Sequence, residues 1–238
     1  MIQYLKWDSD FFQKKVGSIF LNNESNLDLE NLLNFDLVYI IVNETIDSAF
    51  LHNNPDFLLV DNKITYSKKI ITTNQYDFNI KIMNPNDKIT KQIHSIAIQS
   101  GNYSRFKLDP NISEQKFNEL YSIWIDNSVN RKIAREVLVF QNDECIYGLI
   151  TLDIKKNKTD IGLIAVDQKY RGNRIGTKLL EAADFWSIHN FKIEEIQVTT
   201  QEANIEACSF YEKNGFTISR KQQIFHWWKK RINDKNTV

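Results

Sequence analysis

The stretch YRGNRIGTKLLEAADFW, residues 170–186, places two of the chain's seven glycines, Gly172 and Gly176, at the mouth of an amphipathic segment. Ile175, Leu179, Leu180, Ala183 and Trp186 recur at helical spacing, which predicts a helix that buries one stripe and leaves its first turn open. The first amides of a helix lack internal partners and carry about half a positive charge from the macrodipole. Glycine at both positions lets an anion approach the backbone closely, so residues 171–177 are shaped for a pyrophosphate. A tight strand-to-helix turn is the plainer alternative, since glycine serves that need as well.

Two phosphate-binding signatures do not fit. Lys178 is not preceded by GxxxxG spacing, and the middle glycine and parallel βαβ setting of a dinucleotide fingerprint are missing. Nucleotide hydrolysis and hydride transfer therefore lose ground.

Residues Arg171, Gly172, Asn173, Arg174, Ile175 and Gly176 resemble motif A of the GCN5-related N-acetyltransferases (GNAT), Q/R-x-x-G-x-G/A, with Arg174 at the first glycine position. That departure is compatible with a position that contributes only its backbone amide. The resemblance implies coenzyme A, carried as acetyl-CoA or another acyl-CoA, with its diphosphate on residues 171–176 and Thr177. It also implies that Leu163, Ile164, Ala165 and Val166, in the preceding strand IGLIAV, offer backbone groups to the acyl carbonyl and the pantetheine arm.

Further on, NIEACSFYEKNGF places Asn204, Ala207, Cys208 and Tyr211 on one helical face, with Asn204 and Tyr211 two turns, or about 10 Å, apart. This resembles motif B of the same family. The resemblance implies that Asn204 and Ala207 line the pantetheine arm and that Tyr211 is the catalytic acid that protonates the departing thiolate. A phenol of ordinary pKa near 10 is protonated at neutral pH and suits that task. The alternative is a core tyrosine and an asparagine N-cap. Cys208 has nothing adjacent that would lower its pKa, which disfavours a covalent acyl intermediate.

The rest of the 238 residues predicts a mixed α/β chain with a mostly antiparallel sheet. In the first third, VGSIFLN, LVYIIVNE and FLLVDNKITYSKKI read as strands, and LDLENLLNF and IDSAFLHNN as helices. A polar stretch, TTNQYDFN, then suggests a boundary near residue 78. Residues 1–78 are expected to form a small α/β domain that shapes the acceptor site, which the resemblance implies is a truncated GNAT-like domain, and residues 79–238 the acyltransferase domain. Equal numbers of basic and acidic residues, 30 each, argue against nucleic acid or an anionic membrane as partner. Two cysteines and four scattered histidines show no metal-ligand spacing. The amino end lacks a signal-peptide pattern and no apolar run approaches the ~20 residues that span a bilayer, so a soluble cytoplasmic protein is expected.

YLKWDSDFFQKKVGSI, NYSRFKLDP and FNELYSIWIDNSV together resemble a narrower group, the TDP-amino-sugar N-acyltransferases, which includes TDP-fucosamine acetyltransferases. This implies an acceptor amine on a TDP-linked 3- or 4-amino-dideoxy sugar, an acetyl or 3-hydroxybutyryl donor, a homodimer, and a place in surface polysaccharide or O-antigen synthesis. Tyr103 and Phe106 are then candidates to pack on a base or sugar ring, Arg105 to pair with the diphosphate, and Ser104 and Trp124 to line the same site. For Trp7, Phe11 and Phe12 a core cluster is the simpler expectation. The reaction expected is direct attack by a neutral amine with no metal, and no carboxylate or histidine stands out as general base. Two other readings stay open: a GNAT enzyme acting on a protein amino terminus or lysine, and a non-catalytic acyl-CoA-binding protein.

Overall fold

The computed structural model describes residues 1–21, 29–43, 55–71, 75–143 and 145–230. It is a mixed α/β structure whose strand pairs are mostly antiparallel, as the sequence predicts. The helix expected over residues 46–54 lies outside the described residues.

The chain divides into two compact units, Met1–Ile64 with Arg220–Val238, and Thr65–Ser219. The division therefore falls after Ile64 and not near residue 78, and the end of the chain returns to the first unit. Polar composition marks a loop, and here the loop does not separate units. Ile70 N–H donates to Glu194 O at 2.8 Å and Asp77 pairs with Lys178 at 2.8 Å, so the segment past the boundary is tied into the second unit.

In the first unit, β1 (Gln3–Tyr4), β2 (Val16–Leu21) and β3 (Leu37–Val42) lie side by side, followed by the end of a long last strand, β10 (Thr217–Trp228). β2 and β3 run parallel, and β10 is antiparallel to β3. Alternate apolar residues of these strands build a core with Leu32 and Phe35, the former on a short helix, α2 (Leu29–Leu32), and the latter just beyond it. A first helix, α1 (Lys6–Phe12), ends at Gln13, which turns left-handed at φ 53°. Its Trp7 is 41% exposed and stacks on buried Phe11 at 5.3 Å.

The second unit begins within β4 (Phe57–Lys69), which contributes residues to both units, as does β10. Its sheet order runs β4, β9 (Glu195–Gln201), β8 (Lys158–Val166), β7 (Cys145–Lys155), β6 (Glu136–Asn142) and β5 (Ile80–Ile82). β5, with three residues, is too short to show strand periodicity in the sequence. Helix α3 (Lys91–Ser100) starts where Thr90 accepts the Ile93 N–H. A one-turn helix, α4 (Arg105–Leu108), precedes α5 (Glu114–Val129), which Ser113 caps in the same manner. Ile93, Ile96, Ile125 and Val129 of α3 and α5 pack on Val137, Val139, Leu149 and Ala165 of the sheet. The opposite end of β8 leads into α6 (Ile175–Trp186), and β9 leads into α7 (Ile205–Lys213).

Candidate functional site

β8 and β9 are parallel neighbours for a short distance only. Thr159, Asp160 and Ile161 pair with Ile196, Gln197 and Val198, and the pairing stops there although β8 continues to Val166 and β9 to Gln201. Past Ile161 the ladder ends, and the edge of β8 that faces β9 is left open, with no strand bonded to it among the described residues.

The alternation of an antiparallel ladder says which β8 groups face that opening. Asp167 N–H donates to Tyr147 O at 2.8 Å, so that position is a hydrogen-bonded pair. Bonded and non-bonded pairs alternate. Leu149–Ala165 is therefore the next bonded pair, while Gly148–Val166 and Ile150–Ile164 turn their backbone groups away from β7. In agreement, Val166 O accepts from Arg171 Nε at 3.2 Å. Of the four strand amides expected from the sequence, Leu163 and Ala165 are thus engaged, Leu163 with Thr151 Oγ1 at 2.8 Å and Ala165 with β7. The amides of Ile164 and Val166 have no partner among the described residues.

The loop after β8 is built around backbone conformation. Gly172 has φ 82° with open space where a side chain would project, and Arg174, the N-cap of α6, is left-handed at φ 59°. A left-handed L-residue costs about 1–2 kcal/mol, so arginine is a strained occupant of this position and glycine would fit it without that cost. Arg174 makes no side-chain cap bond. The first helical bond is Lys178 N–H to Arg174 O at 3.0 Å, so the amides of residues 172–177 are unpartnered among the described residues. Gly176 has a packing reason beside the one expected. A Cβ there would lie 3.1 Å from Phe210 Cζ and 3.8 Å from Val166 Cγ2, so glycine also lets α6 approach α7 and β8. Ile175 is buried beneath the loop and Thr177 is half-buried.

On α7, Asn204 is the N-cap, its Oδ1 accepting the Ala207 N–H at 3.2 Å. That occupies its acceptor and leaves Nδ2 as the donor it presents. Tyr211 is 4% exposed, with its ring 5.7 Å from Tyr66 of β4 and 5.8 Å from Phe216. Burial first, and the neighbouring Cys208 second, hold its phenol above the ordinary tyrosine range. Tyr66 is shifted the same way, by burial first and then by hydrogen bonding with Cys208 and Glu212. Its hydroxyl donates to Glu212 Oε1 at 2.9 Å. Cys208 Sγ is directed at Gln201 O, 3.6 Å away.

Lys68, two residues along β4 from Tyr66, pairs with Asp184 of α6 at 2.6 Å with both side chains at most 14% exposed. It also donates to Asn214 O at 3.4 Å and lies over the Phe216 ring. This cation joins β4, α6 and the end of α7 around the tyrosine pair. The alternation of ITYSK in β4 places Tyr66 and Lys68 on one face, but nothing local in the sequence says what they meet.

The expected acceptor residues are less uniform. Phe106 is buried, with its ring edge to face on Trp124 at 5.7 Å, and Ser104 is a buried N-cap of α4. Tyr103 is 42% exposed and the Arg105 guanidinium lies over the Phe106 ring. Trp124 also packs on Tyr121. The structure thus joins Arg105, Phe106 and Trp124 in one aromatic cluster and leaves Tyr103 outward. Among the described residues no group of three or more His, Cys, Asp or Glu side chains is arranged to hold a metal ion, and no helix is long and apolar enough to cross a membrane.

Residues 134–218, which contain the opening, the loop and Tyr211, match the family model of an acetyltransferase (GNAT) domain. Acetyl-CoA is the acyl donor of such domains. The chain is 30% identical over 139 residues to the spore coat polysaccharide biosynthesis protein SpsD of Bacillus subtilis (strain 168), covering 58% of this chain and 47% of that protein. It is also 30% identical over 95 residues to human N-alpha-acetyltransferase 30, covering 38% of this chain and 25% of that one. The chain thus spans about half the length or less of these curated relatives. Among solved structures, a conserved protein of unknown function from Staphylococcus epidermidis ATCC 12228 aligns over 96% of this chain and 90% of its own, with TM-score 0.66 and 11% identity. A GNAT-family protein of Novosphingobium aromaticivorans DSM 12444 aligns over 82% and 75%, with TM-score 0.52 and 12% identity. At these identities the structural likeness speaks for the fold alone, and the family model spans residues 134–218 only.

Proposed function

Taking residues 134–218 as a GNAT acetyltransferase domain, we propose that the chain is an acyl-CoA-dependent N-acyltransferase whose acceptor is the amine of a TDP-linked 3- or 4-amino-dideoxy sugar. The observation that carries the reading is the opening between β8 and β9. It has unpartnered amides of residues 172–177 at its mouth, two outward strand amides along its edge, and helix α7 with buried Tyr211 following β9.

Acyl-CoA supplies the acyl group as a reactive thioester and leaves as the free thiol. The amides of residues 172–177 and the N-terminus of α6 hold its diphosphate. Asn204 Nδ2 donates to the pantetheine arm. The Ile164 and Val166 N–H groups face the place where negative charge gathers on the acyl oxygen as the neutral amine forms the new C–N bond. As the C–S bond breaks, Tyr211 gives its proton to sulfur, and its burial-raised pKa keeps that proton available across the physiological range. The amine's surplus proton passes to water. Tyr66 and Lys68 hold the phenol's surroundings rather than touching the reacting atoms.

Support for a sugar acceptor is the kinship to a spore coat polysaccharide biosynthesis protein, and it fits a role in surface polysaccharide synthesis. Arg105 and Tyr103 are the residues proposed to meet the nucleotide sugar, with Ser104, Phe106 and Trp124 supporting them from beneath. The small amino-terminal unit is read as shaping the acceptor end, and the protein as a cytoplasmic homodimer. A second reading, acylation of a protein amino terminus, is favoured by the shorter match to N-alpha-acetyltransferase 30. Thiol release from acetyl-CoA and 3-hydroxybutyryl-CoA, measured against a panel of TDP-amino sugars and amino-terminal peptides, separates them. Release with sugars alone is expected. Release with peptides alone favours the second reading, and binding of coenzyme without release to any acceptor leaves a non-catalytic binder.

A further inference from the structure

The ladder between β7 and β8 breaks at one point. Ile150 pairs with Ile164 and Leu152 with Ile161, so Thr151 alone stands opposite two residues, Gly162 and Leu163. A bulge of this kind strands one residue outside the ladder. Here the stranded amide is taken up by a side chain, with the Leu163 N–H donating to Thr151 Oγ1 at 2.8 Å. Thr151 is 2% exposed, so no water competes for that bond. Gly162 makes room for the same hydroxyl, since a Cβ there would lie 2.9 Å from Thr151 Oγ1.

The bulge has a consequence for the opening. Side chains and backbone groups of a strand alternate with period two, so one extra residue reverses which amides face which neighbour. Without it, Leu163 and Ala165 would present their N–H groups toward β9, and Ile164 and Val166 would be tied to β7. We propose that Thr151 is a positioning residue for acyl transfer: its buried hydroxyl fixes the bulge that turns the Ile164 and Val166 amides toward the acyl oxygen. The inference rests on the acyl-CoA reading of the site, and Thr151 itself touches no substrate.

Thr151→Val keeps shape and β-branching while removing the acceptor, and Thr151→Ser keeps the acceptor. Gly162→Ala forces a Cβ against the hydroxyl and is a second way to break the same bond. Acetyl-CoA affinity is measured by calorimetry, turnover by thiol release, and the alignment of the amides by the infrared carbonyl stretch of bound ¹³C-acetyl-CoA, all at temperatures where circular dichroism shows each variant folded. The expected result is that Thr151→Val and Gly162→Ala lower kcat by about tenfold or more with acetyl-CoA Kd little changed, as misaligning an oxyanion donor does. The carbonyl stretch should move toward its value in water in both variants, and Thr151→Ser should restore rate and frequency. Unchanged kcat and frequency in folded Thr151→Val, or an equal loss in Thr151→Ser, overturns the role. Absence of acetyl-CoA binding by the wild-type protein is a different failure: it removes the acyl-CoA reading and this role with it.

Discussion

Tyr66 and Tyr211 stand with ring centroids 5.7 Å apart, the first on a strand and the second on a helix nearly 150 residues later, yet among the described residues only Tyr66 has its hydroxyl committed, to Glu212. One phenol is spent on structure, and the other is the one proposed to donate. The division of labour follows from their neighbours, because both are buried and both are shifted upward by that burial.

Tyr211→Phe is expected to lower kcat by about 10²-fold while leaving acetyl-CoA Kd within about twofold of wild type, since a general acid contributes in the transition state and not to binding. Stopped-time thiol release and calorimetry check the two halves. Turnover equal to wild type would remove Tyr211 from the mechanism.

The pH profile follows from the same burial. A free phenol begins to lose its proton near pH 10. Tyr211 is held above that range, so the acid remains protonated, and kcat should show no fall ascribable to it up to about pH 10. An alkaline limb that disappears in Tyr211→Phe but sits below that value would contradict the assignment.

Lys68 and Asp184 make a second testable pair. Asp184 is held above the ordinary carboxylate range by burial first, with the Lys68 charge opposing, and its Oδ1 has no hydrogen-bond partner among the described residues. A carboxyl whose folded pKa exceeds its unfolded one binds its proton more tightly in the folded state. Its contribution to stability is then fullest at low pH and is lost as pH rises through the folded value. Lys68→Met removes the opposing charge and widens that window. The variant should lose about 3 kcal/mol at neutral pH, where the stranded carboxylate is ionised, and recover part of it on acidification. Urea denaturation at both pH values reads this directly, and a loss independent of pH would assign it to packing around Phe216 instead.

What was legible in the sequence is what is local. The helix start at 171–177 and the Asn204 to Tyr211 spacing each lie within a helix and the few residues that lead into it, so a short window of sequence exposes them. The bulge was not legible as such, because Thr151 and Leu163 lie on different strands and their bond depends on register. Its only trace is the unbroken apolar run IGLIAV, where a half-buried strand would alternate. A packing reason for Gly176 was not legible, since the ring it accommodates, Phe210, comes from the next helix. The boundary near residue 78 failed similarly: composition sees a polar loop but not that Asp77 and Lys178 tie it inward.

Arg174 carries the last prediction, because it separates conformation from contact. Its left-handed backbone is strained for a side chain, and its guanidinium makes no capping bond. Arg174→Gly should therefore raise unfolding free energy by about 1 kcal/mol through relief of that strain, against a smaller entropic loss from glycine in the unfolded chain. Arg174→Ala keeps the strain and removes the guanidinium, which makes it the control for charge. If position 174 serves the coenzyme only through its amide, both variants bind acetyl-CoA within about twofold of wild type at physiological salt, because the amide they present is unchanged. Equal weakening in both variants, growing as salt is lowered, would instead assign the guanidinium to the diphosphate and make arginine at this position a gain of contact rather than a tolerated substitution.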